Sequence, residues 1–227
     1  MIQKNADKFL QNCTNLSQHK ASFVHDLSQE RCGIVNLSVF NEKFYHQNRA
    51  MASLEALKDI LDNKFLCHIG CSTGIMTEYF SKVCSKILAI DIEEEPIKQT
   101  SERKYNCEID IKKADATEYL QENPDVNPEV FYMWMNYNAM QPWIDKVMDV
   151  RGHTSPTIIL GIGLQKVVSP VENEKPLQLE QAKKLKKKYG GEIKLLSFAH
   201  NSPNVPRSKK GAFGLLILKP EKDYHDI

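Results

Sequence analysis

The stretch that decides the fold reads Lys64-Phe65-Leu66-Cys67-His68-Ile69-Gly70-Cys71-Ser72-Thr73-Gly74. Its first half is a short apolar run that ends in glycine, which is typical of a strand buried on both faces of a sheet. The glycines at 70 and 74 bound a turn, and residues 73–84 follow with a helical pattern. The stretch therefore predicts a strand, a turn and a helix, the unit that builds parallel sheets.

The same alternation continues along the chain. Apolar runs at 86–91, 108–113, 130–135 and 157–163 predict further strands, and helical patterns separate them. Two last strands, at 192–199 and 213–219, follow a lysine-rich helix at 177–189 and have no helical pattern between them. We therefore predict an α/β fold with a seven-stranded, mostly parallel sheet and helices on both faces. One C-terminal strand should be antiparallel, either at the edge of the sheet or inserted in it.

The N-terminal part has a weaker pattern. Residues 1–45 are polar and mixed, which predicts at most short helices, whereas 48–61 place apolar residues at helical spacing. We find no internal repeat and no linker. The expectation is a single domain over 1–227, in which residues 1–62 form an N-terminal helical cap and 63–227 form the ligand-binding core.

Composition limits the kinds of partner. The formal net charge is +1, from 30 basic and 29 acidic residues, so nothing attracts the whole chain to nucleic acid or to an anionic membrane. No apolar run approaches the roughly 20 residues that cross a bilayer, and the start of the chain lacks a signal-peptide pattern. The six cysteines form neither a zinc motif nor a disulfide framework. We expect no metal, no membrane and a cytoplasmic protein.

The turn at 70–74 lacks the standard phosphate-binding spacings. A dinucleotide fingerprint starting at Gly70 needs glycine at 72 and 75, where this chain has Ser72 and Ile75. A P-loop needs glycine at 75 and lysine at 76, where the chain has Ile75 and Met76. The turn also contains no basic residue, so a ligand other than a phosphate is indicated.

The segment 68–74 resembles the first motif of the class I S-adenosylmethionine (SAM)-dependent methyltransferases, an acid-x-Gly-x-Gly-x-Gly pattern. Gly70 and Gly74 match the outer glycines, Ser72 stands for the middle one, and His68 stands for the acid that in the family helps to hold the methionine amino group. The resemblance covers roughly residues 60–165, and 190–220 by topology only. It implies a Rossmann-like sheet and SAM as cofactor.

The resemblance also implies cofactor contacts at the ends of later strands. Asp91 would accept from both ribose hydroxyls and Asp115 from the adenine amine, Ile92 would pack on the ring, and Asn136 would face the methyl donor. The implied cofactor-binding residues are Gly70, Cys71, Ser72, Thr73, Gly74, Met76, Asp91, Ile92, Asp115, Ala116 and Asn136. Plain helix capping is the alternative role for the two aspartates.

Candidate acceptor-binding residues come from three segments. They are Tyr45, His46 and Arg49 near the cap helix, Trp134 and Tyr137 after the fourth core strand, and His200 between the last two strands. Structural roles are the alternative for each, and a core position is the alternative for Trp134. Methyl transfer is an in-line displacement that needs alignment and exclusion of water, so the lack of a catalytic dyad does not oppose this function.

The sequence therefore predicts an enzyme that methylates a small molecule or a protein side chain. One alternative is a nucleic-acid methylase that uses the five lysines within 183–188, although such a run is commonly a solvated helix face. The other is a non-catalytic relative of the same fold, which the departures at His68 and Ser72 keep open.

Overall fold

The structure is a computed structural model that describes residues 21–26, 31–36, 45–134, 140–151, 154–163, 177–198 and 211–220. Nine strands and six helices lie in these ranges. In chain order they are β1 (Ala21–Asp26), β2 (Arg31–Asn36), α1 (Tyr45–Leu61), β3 (Phe65–Ile69), α2 (Ile75–Phe80), β4 (Lys86–Asp91), α3 (Glu94–Ser101), β5 (Glu108–Lys113), α4 (Ala116–Glu122), β6 (Val130–Met133), α5 (Met140–Arg151), β7 (Thr157–Gly163), α6 (Leu177–Tyr189), β8 (Glu192–Phe198) and β9 (Gly211–Leu218).

All nine strands belong to one sheet, in the order β2-β1-β8-β9-β7-β6-β3-β4-β5. Strands β3 to β7 run parallel to their neighbours in this set. Strand β9 is antiparallel to both β7 and β8 and lies between them. The predicted seven-stranded, mostly parallel sheet is thus confirmed as β3–β9, and the antiparallel strand is inserted in the sheet.

The N-terminal part differs from the prediction. The helix expected at 48–61 is present as α1, but residues 21–26 and 31–36 form an antiparallel hairpin, so the expectation of short helices there is wrong. Strand β1 pairs antiparallel with β8, where Ser22 lies opposite Phe198. The hairpin thereby covers the backbone N–H and C=O groups that β8 would otherwise leave unpaired at the edge.

The core has two halves, one on each face of the sheet. In β4, Ile87 and Ala89 pack with α1 and α2, whereas Leu88 and Ile90 pack on the opposite face with α4, α5 and α6. These strand residues are at most 1% exposed, which explains the continuous apolar runs of the sequence. Among the helices of the described ranges, none is both long and apolar enough to cross a membrane.

The parallel register brings the carboxyl ends of several strands together. Ile69 at the end of β3 pairs with Ile90 of β4 and with Met133 of β6. The backbone N–H of Ala114, just after β5, donates to the carbonyl of Asp91, the last residue of β4 (3.0 Å). Ligands of open parallel sheets bind at this edge, so the predicted site residues that follow these strands meet there.

Candidate functional site

The turn after β3 has an unusual backbone. Gly70, Ser72 and Gly74 have φ values of 63°, 50° and 73°, all in the left-handed region. A Cβ built on Gly70 would meet no atom within 4 Å, so open space lies against the backbone there. A Cβ on Gly74 would come within 2.9 Å of Thr100 Oγ1. The first glycine therefore faces a cavity, and the second allows α3 to pack against the turn.

Ser72 occupies a backbone conformation that glycine adopts more easily. A left-handed φ costs an L-residue roughly 1–2 kcal/mol. Two hydrogen bonds hold the peptide groups of Ser72: its N–H donates to Asp91 Oδ2 (2.8 Å), and its carbonyl accepts from Thr100 Oγ1 (2.6 Å). The middle position of the motif therefore has the left-handed backbone typical of glycine, although its residue is Ser72.

Asp91 ties the turn to the start of α3. Its Oδ2 accepts from the N–H of Ser72, and its Oδ1 accepts from the N–H of Glu93 (3.1 Å). An ionised carboxylate offers about four acceptor directions, so two backbone bonds leave room for a ligand. Ile92 follows, 67% exposed, and no other large apolar side chain is exposed among those that the structure describes.

Asp115 caps α4. Its Oδ1 accepts from the N–H groups of Thr117 (2.8 Å) and Glu118 (3.1 Å) and from the Thr117 hydroxyl (2.5 Å). The hydrogen bond from the Thr117 hydroxyl is the main reason why the pKa of Asp115 is below its usual value, and the two backbone bonds contribute less. The capping role is therefore present, and all three bonds use one oxygen. Ala116 behind it is 5% exposed.

His68 is a buried, neutral side chain. It is 2% exposed, its Nδ1 lies 2.8 Å from Thr77 Oγ1, and its ring meets that of Tyr132 edge-on with centroids 5.2 Å apart. Burial, with the positive charge of Arg49 as a lesser cause, lowers the pKa of His68 to about 3. At neutral pH this position therefore carries no charge, where the family motif has an acid.

A pocket of about 580 Å³ opens beside the turn, within the usual size range of small-molecule sites. Its lining residues are Arg49, His68, Gly70, Cys71, Ser72, Thr73, Ile75, Met76, Gln99, Arg103, Tyr132 and Trp134. It brings most of the predicted turn residues together with Arg49 and Trp134 from the predicted acceptor side. Asp91, Ile92, Asp115 and Ala116 are not in this lining, and they continue from it along the sheet edge.

Trp134 joins the pocket to the core. Its indole lies against the backbone of Gly161 in β7. The centroid of its ring is 5.5 Å from that of Phe213 in β9. The guanidinium of Arg49 lies over the same ring, 4.3 Å from its centroid. The two alternatives for Trp134 therefore both apply, because one face packs on the sheet while the residue lines the pocket.

The side chains of five predicted residues are not described. Asn136, Tyr137 and His200 lie outside the described residues, and so do the side chains of Tyr45 and His46, although both positions belong to α1.

Several residues that line or support the pocket were not predicted from the sequence. Thr77, Gln99, Thr100, Arg103 and Tyr132 support or line it. Arg103 donates through Nε to the carbonyl of Thr73 and through Nη1 to Glu78 Oε2 (2.6 Å), so it braces the turn from the far end of α3. No local pattern marks these residues, because the packing of segments that are distant in sequence brings them to the pocket.

The family and the fold show that the chain is a class I SAM-dependent methyltransferase with a Rossmann-like sheet. The family model described as Nodulation protein S (NodS) matches residues 20–169, more than half of the 227 residues, and the chain belongs to that family. Comparison with curated proteins gives no match.

Three solved structures illustrate the shared fold. The O-methyltransferase from Bacillus cereus in complex with S-adenosylhomocysteine (SAH) is 12% identical, with 74% of this chain and 80% of that chain covered and a TM-score of 0.53. The methyltransferase domain of bacterial CtHen1-CN is 14% identical, with coverage of 78% and 100% and a TM-score of 0.52. The ribosomal protein L11 methylase from Lactobacillus delbrueckii subsp. bulgaricus is 16% identical, with coverage of 78% and 81% and a TM-score of 0.50.

These identities are low enough that the structural likeness concerns the fold alone. The prediction of a SAM-dependent methyltransferase is confirmed at the level of the family and the cofactor.

Proposed function

We propose that the pocket beside the 70–74 turn binds SAM and that the enzyme transfers the methyl group by in-line displacement to a small molecule or a protein side chain. The observation that carries this proposal is the open space at Gly70, where a backbone without Cβ lets a ligand approach closely. When bound, the cofactor supplies an electrophilic methyl group on a sulfonium.

The remaining cofactor contacts are assigned from the same edge of the sheet. Asp91 accepts from the ribose hydroxyls through acceptor directions that its two backbone bonds leave open. Asp115 uses Oδ1 as a cap, which leaves Oδ2 for the adenine amine, and Ile92 covers one face of the ring. Cys71, Thr73, Gly74, Met76 and Ala116 complete the surface, and Asn136 is assigned to the methyl-donor end.

The acceptor enters between α1 and the end of β6. Arg49 and Trp134 form the described part of this wall, which is also where Tyr45, His46, Tyr137 and, from the far loop, His200 are assigned. The lining in the described ranges contains no carboxylate, and His68 is neutral and engaged with Thr77. These residues align the acceptor and exclude water, so the proposal suits an acceptor atom that holds a free electron pair at neutral pH.

The lysine-rich helix favours a small-molecule or protein acceptor over nucleic acid. Leu185 and Tyr189 of α6 pack on one face of the sheet, whereas α1, which provides the pocket wall, packs on the other. Lys188 pairs with Asp145 at 3.3 Å. A nucleic acid held by this helix would therefore lie across the sheet from the pocket.

Calorimetric titration with SAH tests the cofactor site. We expect micromolar binding to the wild type and at least about tenfold weaker binding to Asp91→Asn, while Glu122→Ala, an exposed acid at the far end of α4, behaves as wild type. The 2′-deoxy analogue of SAH should bind the wild type more weakly than SAH and bind Asp91→Asn no worse than SAH does. Absence of both heat and thermal shift in the wild type refutes the site.

Transfer of label from methyl-labelled SAM tests the acceptor class. Fractionated metabolites, proteins and nucleic acids are offered separately, and label in a metabolite or protein fraction is expected. Label confined to RNA or DNA contradicts the proposed acceptor.

A further inference from the structure

Strand β5 forms one edge of the described sheet. It is the last strand in the sheet order, and among the described strands it pairs only with β4, through six consecutive residue pairs. Its residues, Glu108–Lys113, include no proline or glycine, and the continuous register leaves no place for a bulge. Proline and bulges commonly stop an edge strand from pairing with another chain, so charged side chains are the remaining control on this edge.

One hydrogen bond shows which backbone groups of β5 face outward. The N–H of Ala114 donates to the carbonyl of Asp91 (3.0 Å), so it points toward β4. The backbone groups of successive residues point alternately to the two sides of a strand, so those of residues 108, 110 and 112 also face β4. The N–H and C=O groups of Ile109, Ile111 and Lys113 therefore point away from the sheet, and the structure describes no strand beside them.

The charge pattern of β5 selects one register for pairing with a second copy of the chain. Two antiparallel copies can exchange backbone bonds only if outward-facing residues lie opposite each other. A two-fold axis through Ile111 meets this condition, and it places Asp110 opposite Lys112 on both sides of the axis. A register shifted by two residues places either two aspartates or two lysines directly opposite each other, which is destabilising. One register is therefore self-complementary, and its neighbours are not.

The two charged side chains are positioned for such a contact. Asp110 and Lys112 form an ion pair of 2.8 Å within β5, and their side chains are still 40% and 39% exposed. Because they are two residues apart, they lie on the same face of the sheet. In the two-fold arrangement each carboxylate has one ammonium beside it in its own strand and another across the axis, so the four charges alternate.

We infer that β5 is the contact surface of a homodimer, in which two copies pair antiparallel about a two-fold axis through Ile111. The two nine-stranded sheets then form one continuous sheet. A single pair of short strands is smaller than a standard protein interface, so the dissociation constant should lie in the micromolar range. Among the described lining residues of the pocket there is none from β5, so this inference is independent of the proposed function.

Sedimentation velocity over a concentration series tests the dimer. The wild type should change from monomer to dimer as its concentration rises, and high salt should weaken the dimer because it screens exposed ion pairs. Asp110→Lys and Lys112→Asp each give the two positions the same charge, so each should weaken dimerisation at least about tenfold. A wild type that stays monomeric up to about 1 mM overturns the inference.

Two matched controls carry the same changes of charge elsewhere. Asp149→Lys lies on the exposed surface of α5 and Lys184→Asp on that of α6. Both should dimerise as the wild type does. If they lose the dimer to the same extent as the β5 variants, net charge and not strand pairing controls association, and the inference fails.

Mixing the two β5 variants tests the register. In a mixed pair each lysine of one chain lies opposite an aspartate of the other, so equimolar Asp110→Lys and Lys112→Asp proteins should form a heterodimer about as stable as the wild-type dimer. The double variant Asp110→Lys/Lys112→Asp should dimerise by itself, because the exchange restores the complementary pattern. Circular dichroism checks that each variant is folded. Folded single variants that dimerise alone, or that stay apart when mixed, contradict the proposed pairing.

Amide hydrogen exchange distinguishes strand pairing from contact through another surface. Where the dimer predominates, the amides of Ile109, Ile111 and Lys113 should exchange at least about tenfold more slowly than in the monomer. The amides of Asp110 and Lys112 already face β4, so their exchange should change little. A dimer that slows exchange elsewhere but not along β5 uses another surface and overturns the inference.

Discussion

The indole of Trp134 lies against the backbone of Gly161 so closely that a Cβ at residue 161 would come within 2.0 Å of Trp134 Cε3. The same indole supports the guanidinium of Arg49 on the pocket wall. A glycine in the middle of β7 therefore determines the shape of the pocket from beneath.

Gly161→Ala should force the indole away from β7. Overpacking of this kind costs typically about 1–3 kcal/mol, and we expect a loss of that size in the free energy of unfolding from urea titration. Trp134 lines the pocket, so displacement of its indole should also weaken SAH binding. Adding Trp134→Leu should recover much of the stability, because the smaller side chain makes room. A Gly161→Ala protein with wild-type stability and SAH affinity would show that the close packing is not required.

Ser72→Gly should not destabilise the protein, although serine-to-glycine changes ordinarily do. The left-handed φ of 50° costs serine roughly 1–2 kcal/mol, and the added freedom of glycine in the unfolded chain costs roughly 0.5–1 kcal/mol. The balance predicts a gain of between zero and about 1.5 kcal/mol in the free energy of unfolding, measured by urea unfolding. The backbone bonds to Asp91 and Thr100 persist, so SAH affinity should be retained. A clear loss of stability would mean that the serine side chain has an unrecognised role.

Asp115 should show separable capping and ligand roles. Asp115→Ala removes the acceptor for Thr117 and Glu118, and loss of such a cap costs about 1 kcal/mol. Asp115→Asn keeps a good capping group, so its urea midpoint should stay close to that of the wild type. Asparagine has a single side-chain oxygen, and the cap uses it, so no oxygen remains for the cofactor. Both variants should therefore bind SAH more weakly. If only the alanine variant loses SAH affinity, the aspartate acts through the helix alone.

His68 should make stability depend on acidity. Its pKa of about 3 in the folded chain lies below the ordinary 6.5, so between these values the unfolded chain binds a proton that the folded chain does not. Stability therefore falls as pH falls from 6.5 toward 3, and the expected loss between pH 7 and pH 5 is about 2 kcal/mol. Urea unfolding of His68→Asn should lack this contribution. Parallel pH profiles for the two proteins would indicate that His68 titrates normally.

Local sequence pattern was sufficient to predict the strands of the parallel core and much of the 70–74 turn. A buried strand needs a continuous apolar run, and a left-handed turn favours glycine, so β3, β4 and β7 and the glycines at 70 and 74 could be located from sequence alone. The order of the turn and the two aspartates along the chain also predicted one edge of the sheet, because parallel strands place their carboxyl ends together.

The tertiary structure decided the rest. The pairing of β1 with β8, the insertion of β9, and the meeting of Arg49, Trp134 and Gly161 all join segments that are far apart in the chain. Hydrophobic periodicity reports whether a segment is buried and on which side, but not which distant segment covers it. The sequence by itself therefore determined the class of fold and the kind of cofactor, whereas the long-range packing decided where the charge of the pocket lies.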